Sequence, residues 1–153
     1  MKRYLCIGLI LLLCLGLVAC DQIEDTNGEE DPSLAVLTEQ DLLKGYNSSV
    51  MVGFISTKIN DKLTCKANQF SGVKELESIR ATNGTQSLTF DVQSTLGSGN
   101  LRIYVRSDGR IVGDFEVGKR DTLTIEQPAP GEYELCIAGE SASFEITATI
   151  QKQ

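Results

Sequence analysis

Leu101-Arg102-Ile103-Tyr104-Val105-Arg106-Ser107-Asp108-Gly109-Arg110-Ile111 alternates apolar with polar or aromatic residues, breaks at Asp-Gly, and resumes. A period of two belongs to a strand with one buried and one wet face. Asp-Gly between two such runs suits the two-residue hairpin in which both turn positions take positive φ. The same period extends outward on both sides. Leu88, Phe90 and Val92 alternate with Thr89, Asp91 and Gln93, and Tyr133, Leu135 and Ile137 form another set. Ile111, Phe115 and Val117 line up around Gly113, with Leu123 and Ile125 after them. Near the end Phe144, Ile146, Ala148 and Ile150 oppose Ser143, Glu145, Thr147 and Thr149.

Turn residues separate these runs at Asn83-Gly84, Gly97-Ser98-Gly99-Asn100, Gly118, Pro128-Ala129-Pro130-Gly131 and Gly139-Glu140-Ser141. Short runs at such spacing predict an all-β fold, an antiparallel β-sandwich of jelly-roll or immunoglobulin-like type with about seven or eight strands. Val50 to Ser56 and Lys62 to Phe70 are expected to add two of them. In residues 71–82, Val73, Leu76 and Ile79 recur at helical spacing. A strand is the preferred reading, because a sandwich needs a partner there and Gly72 suits a bulge.

The residues Leu101 to Val105, Asp108-Gly109-Arg110, Pro130 to Leu135 and Phe144 carry a resemblance. The stretch from Leu88 to Ile150 resembles small β-sandwich domains of bacterial secreted proteins, including the pre-peptidase C-terminal type and those of small Gram-positive lipoproteins. The resemblance implies an accessory domain without catalytic residues. No peptidase accompanies it in this chain.

Ahead of the strands lies a different kind of sequence. Met1-Lys2-Arg3 is basic, Leu5 to Val18 is almost wholly apolar, and Leu17-Val18-Ala19-Cys20 closes the run. The order is that of a secretory signal, and the apolar run is short of the roughly 20 residues a spanning helix needs. Leu17-Val18-Ala19-Cys20 resembles the lipobox of bacterial lipoproteins. That resemblance implies cleavage before Cys20, lipidation of its thiol with palmitate-type chains, and a cell-membrane anchor on the extracytoplasmic face. Asp21 resembles the inner-membrane retention signal of enterobacterial lipoproteins, a weak pointer to that membrane.

Three segments follow: a signal peptide at 1–19, a lipid-anchored linker at 20–43, and a sandwich domain at 44–153. Six of residues 21–31 are acidic and the first basic residue after Arg3 is Lys44, the pattern of a disordered, self-repelling spacer. Its Asp25 to Asp31 stretch lacks the spacing of a calcium loop. Thr38-Glu39-Gln40-Asp41 ahead of Leu42-Leu43 reads as a capped helical turn that Gly45 ends quickly.

Without residues 1–19 the charge is 14 − 2 = 12 basic against 21 acidic, or −9. Such a balance disfavours nucleic acid, whose phosphates need clustered Lys and Arg. The expected partners are the membrane, through the lipid on Cys20, and an envelope protein or glycan. Cys65 and Cys136 are the even pair left in an oxidising compartment and are expected to join. The bond would close a 72-residue loop (136 − 65 + 1), a stabilisation of about 4 kcal/mol in the chain-entropy view. Cys136 points away from the face of Tyr133, so the bond would clip an N-terminal strand near the outside of the sheet. The alternative is two separate buried thiols.

The chain has no histidine. That removes the commonest general base and zinc ligand, and with them any serine or cysteine triad. No catalytic residue, metal site or cofactor is assigned, and the chain is expected not to be an enzyme. Glu132 and Glu134, with Glu145 near, are the remaining route to a carboxylate-dependent hydrolase. Solvated surface charge is the better account of them. A carbohydrate- or cation-binding module is the stronger alternative, although sugar platforms favour tryptophan and there is none. Tyr104 flanked by Arg102 and Arg106 on the wet face is the expected interaction patch, against plain strand propensity as the simpler account.

Overall fold

The computed structural model describes residues 37–44 and 46–153, with backbone alone for 46–49. All of them belong to the second of two compact units, Pro32–Gln153. The signal peptide, the anchor at Cys20 and residues 21–36 of the acidic linker lie outside the described residues.

A single helical turn, α1 (Glu39–Leu43), precedes seven antiparallel strands: β1 (Tyr46–Val52), β2 (Ile55–Ile59), β3 (Lys62–Ala81), β4 (Ser87–Ser107), β5 (Arg110–Phe115), β6 (Arg120–Glu126) and β7 (Gly131–Lys152). Three of these are long, at 20, 21 and 22 residues for β3, β4 and β7. Straight, each would run about 65–75 Å, far beyond a domain whose radius of gyration is near 13 Å. They therefore bend, and each contributes to both layers. One layer reads β2, first part of β3, last part of β7, first part of β4, β6. The other reads β1, last part of β3, first part of β7, last part of β4, β5.

The bends coincide. Register shifts fall between Ala67 and Gly72 on β3 and between Leu96 and Asn100 on β4, both opposite residues 139–144 of β7. Bulges of this kind bend a strand and raise its twist. Gly99 takes φ +72, and a Cβ there would lie 2.4 Å from the Ser141 carbonyl oxygen. Ser141, itself at φ +50, donates its backbone N–H to Ser71 Oγ at 2.9 Å. All three long strands are tied at one corner.

Inside the corner one core fills the space between the layers. Leu63, Cys65, Leu88, Phe90 and Ile146 come from the first layer, and Ile103, Val105, Phe115, Leu135 and Ile137 from the second. Phe70 sits at the bend, edge-on to Phe144 at 6.0 Å. Gly139 leaves room for that ring, since a Cβ would meet Phe70 Cδ1 at 2.7 Å.

The all-β, antiparallel expectation holds, and so does the strand at 71–82 with irregular pairing at Gly72. The hairpin at Asp108-Gly109 has φ +48 and +66. Two expected turns are not turns. Gly97-Ser98-Gly99-Asn100 and Gly139-Glu140-Ser141 are corners inside continuous strands, because glycine releases the backbone equally for a reversal and for a bulge. Conversely, Val50 to Ser56 is divided at Gly53, φ +62, between β1 and β2. An unforeseen hairpin joins β2 to β3 through Asn60 and Asp61, at φ +48 and +62.

Candidate functional site: the strapped outer face

Alternation sends Arg102, Tyr104 and Arg106 to the outer side of the second layer, as expected. Tyr104 and Arg106 do not face water, whereas the Arg102 side chain stays 38% exposed. Tyr104 is 0% and Arg106 8% exposed, because α1 lies across them. The expectation of an exposed aromatic flanked by arginines is corrected on this point: the patch is covered by a segment 62 residues away in sequence.

The covering segment forms for local reasons. Thr38 caps the turn and Asp41 closes the capping box, accepting from the Thr38 backbone N–H at 3.0 Å and from its hydroxyl at 2.7 Å. Those hydrogen bonds hold the Asp41 carboxyl below its ordinary pKa. A five-residue helix is far below the length at which helices stand alone, so α1 depends on what it packs against. Leu42 sinks to 3% exposure among Val73, Tyr104, Cys136 and Ala138, with Leu37 and Ile111 at the edge.

The sheet also satisfies the end of the helix. The last carbonyls of a helix have no partner within it. Here Tyr104 Oη donates to Leu42 O at 2.8 Å, and Arg106 Nη1 donates to Leu43 O at 2.9 Å and Leu42 O at 3.3 Å. A cation at a helix C-terminus also suits its dipole. Arg106 is held from its other side, Nε donating to Glu134. Arg102 forks onto Asp114 at 2.6 and 3.1 Å and lies 5.6 Å from the Tyr104 ring centre. Each hydrogen bond contributes about 1 kcal/mol and the leucine about 2 kcal/mol. Ordering the five residues of α1 costs about 1–2 kcal/mol each, as much as that gain or more. The expected capped turn forms, and it packs on the sheet through one buried leucine and three hydrogen bonds to its last carbonyls.

The disulfide expectation is corrected as well. Cys65 and Cys136 are free and buried. Cys65 points into the inner core while Cys136 lies on the outer face under α1. Cys65 pairs with Ile146, ten positions along β7 from Cys136 (146 − 136). Pairing would need Cα atoms within about 7 Å and Cβ vectors that converge. Burial pushes both thiols up to about 12. The alternative of two separate thiols describes the structure.

Beside the end of α1 a cleft of about 460 Å³ opens between the Asp108-Gly109 turn and the Ala129-Pro130-Gly131 loop, with Arg106, Glu132 and Glu134 on its wall. Glu132 and Glu134 do share this face, but Glu134 is committed to Arg106. Glu145 lies apart, on the outer side of the other layer opposite Lys66 and Thr95. Sequence reading missed Glu75, opposite Cys136 on β3. Although Glu75 is exposed, desolvation by its surroundings and then the neighbouring Glu134 raise its pKa. Its parity with Val73 marks it once residues 71–82 are read as a strand.

No buried side-chain polar atom among the described residues is without a partner. Nor does any group of three or more His, Cys, Asp or Glu there have the placement to hold a metal ion. None of the described aromatic side chains is freely exposed. Tyr104, Tyr133, Phe70, Phe90, Phe115 and Phe144 are buried, and Phe54 lies under Lys74 with Nζ 5.3 Å from its ring centre. No described side chain therefore offers a stacking platform for sugars. No described helix is long and apolar enough to cross a membrane.

No family model matches the chain, and no curated protein matches it. Among solved structures it is similar to PliG of Aeromonas hydrophila, a periplasmic inhibitor of g-type lysozyme, at 20% identity and a TM-score of 0.34 over 65% of this chain and 89% of that one. It is also similar to a cupin domain from Bordetella pertussis, at 13% identity and a TM-score of 0.33 over 67% of this chain and 97% of that one. Likenesses this distant carry no argument about what the chain binds.

Proposed function

We propose that the chain is an extracytoplasmic lipoprotein: cleaved before Cys20, lipidated on that thiol, and carrying a non-catalytic β-sandwich that binds an envelope protein. The carrying observation is the lipobox-like Leu17-Val18-Ala19-Cys20 at the end of a basic-then-apolar leader. Two or three acyl chains at about 0.8 kcal/mol per buried methylene give a lasting anchor. Six acids among residues 21–31 suit a spacer between anchor and domain.

The non-catalytic part of the reading is supported by chemistry. Histidine is missing from the whole sequence, and Glu134 on the cleft wall is held by Arg106. A protein ligand is preferred over a glycan because no described side chain is a freely exposed aromatic for sugar stacking. Labelled palmitate and mass spectrometry of the N-terminal peptide test the anchor. Wild type should carry lipid on Cys20, and Cys20→Ser should lose the label and leave the membrane fraction. A wild-type chain that is cut elsewhere and carries no lipid would refute the reading.

A further inference from the structure

We propose that α1 is a releasable strap, occupying in cis a docking site on the outer face of the sandwich shaped for the last turn of a helix. The site has the two parts such an end requires. An apolar pit of Val73, Cys136 and Ala138 takes a leucine. Two donors, Tyr104 Oη and Arg106 Nη1, meet the unpaired carbonyls at 2.8 and 2.9 Å. Both donors have neighbours on the sheet itself: Arg106 is held by Glu134, and the Tyr104 ring has the Arg102 guanidinium 5.6 Å from its centre. They would stay in place if α1 left.

The strap itself is built to leave. It is one helical turn, held by one buried leucine and by carbonyls rather than by side-chain pairing, and it shares no strand pairing with the layer beneath. Local opening draws on such weakly secured segments while the core stays closed. Opening bares Tyr104, Arg106 and the pit together, which makes the face available to a helix end from a partner. This inference holds whether or not Cys20 carries lipid.

Cys136 reports the opening, and Cys65 is the internal control. Both thiols are buried and raised in pKa to the same level by burial, but only Cys136 lies under α1. The full chain is treated with a maleimide under native conditions, and labelling of each cysteine is followed by peptide mass spectrometry. Cys136 should react at least tenfold faster than Cys65. Thr38→Ala removes the cap without touching the sheet. A cap loss of about 1 kcal/mol corresponds to a roughly fivefold larger open population, so Cys136 labelling should rise about fivefold with Cys65 unchanged. Leu42→Ala should raise it further. A synthetic peptide of residues 32–45, added at millimolar concentration to the Thr38→Ala chain, should slow Cys136 labelling again. Equal rates at the two cysteines, or variants that accelerate both together, would show that α1 opens only with the whole fold. Lack of protection by the peptide would show that the face is not a site for a helix end. Either result overturns the proposal.

Discussion

Gly99, at the corner where the three long strands bend, and Gly109, in the hairpin between β4 and β5, offer a controlled comparison. Both sit in the left-handed region, at φ +72 and +66. Replacing either with alanine carries the left-handed penalty of roughly 1–2 kcal/mol, offset by about 0.4–1 kcal/mol from the stiffer unfolded chain. Around Gly109 nothing lies within 4 Å of the new methyl, so Gly109→Ala should cost about 1 kcal/mol in all. Around Gly99 the methyl would meet Ser141 O at 2.4 Å, Glu140 O at 2.5 Å and Ser141 C at 2.6 Å. These are backbone atoms of β7, flanked on both sides, and cannot turn aside as a side chain could. Overpacking of this sort adds typically 1–3 kcal/mol. The expected total for Gly99→Ala is about 3 kcal/mol or more, a fall of some 10 °C in Tm for a domain of this length. Urea unfolding of the two variants and wild type, followed by circular dichroism, measures the difference. If the two substitutions cost the same within 0.5 kcal/mol, the corner is not the tight crossing described above.

Tyr104→Phe removes one donor from the Leu42 carbonyl, which keeps Arg106. The expected loss is about 0.5–1.5 kcal/mol, seen as faster amide exchange in α1 rather than in the strands. Arg102→Ala breaks an ion pair whose side chains are 38% and 48% exposed, and should cost under about 1 kcal/mol. Arg106→Ala should cost more by denaturant unfolding, since it strands Glu134 and the Leu43 carbonyl at once, while Leu42 O keeps Tyr104. Glu75 has a raised pKa in the folded state, so the fold gains most below the ordinary value of 4.5 and loses that gain as pH rises through the raised value. Glu75→Gln removes the loss. It should stabilise by less than about 1 kcal/mol at pH 7, because the group is exposed, and give no advantage near pH 3.5 in paired thermal melts.

Much of the fold could be read from pattern alone. Period-two alternation gave the strands and their inward faces, and Asp108-Gly109 gave its hairpin outright. Strand continuity was hidden, since a glycine cluster has one composition whether the chain reverses or merely bends. The candidate site shows a sharper limit. Parity placed Tyr104 on the outer face correctly, but burial of that face is decided by what crosses it. Nothing in the run from Leu101 to Arg106 mentions Leu42. The cysteines failed for a related reason. An even count says that a pair could form, whereas opposite faces of a sheet are a matter of register that only the assembled strands reveal.

The sharing of strands between layers has a mechanical consequence. Two separate sheets can slide over one another, but here any sliding would have to stretch β3, β4 and β7 through their common corner. Load arriving from the N-terminal side meets edge elements first. It would lift α1, then peel β1 and β2 from β3 a few hydrogen bonds at a time. Load on the far end pulls β7, which is gripped along both sides by β3 and β4 and must break its pairing in shear, many bonds together. The described domain is therefore soft at its N-terminal edge elements and stiff at its C-terminal strand.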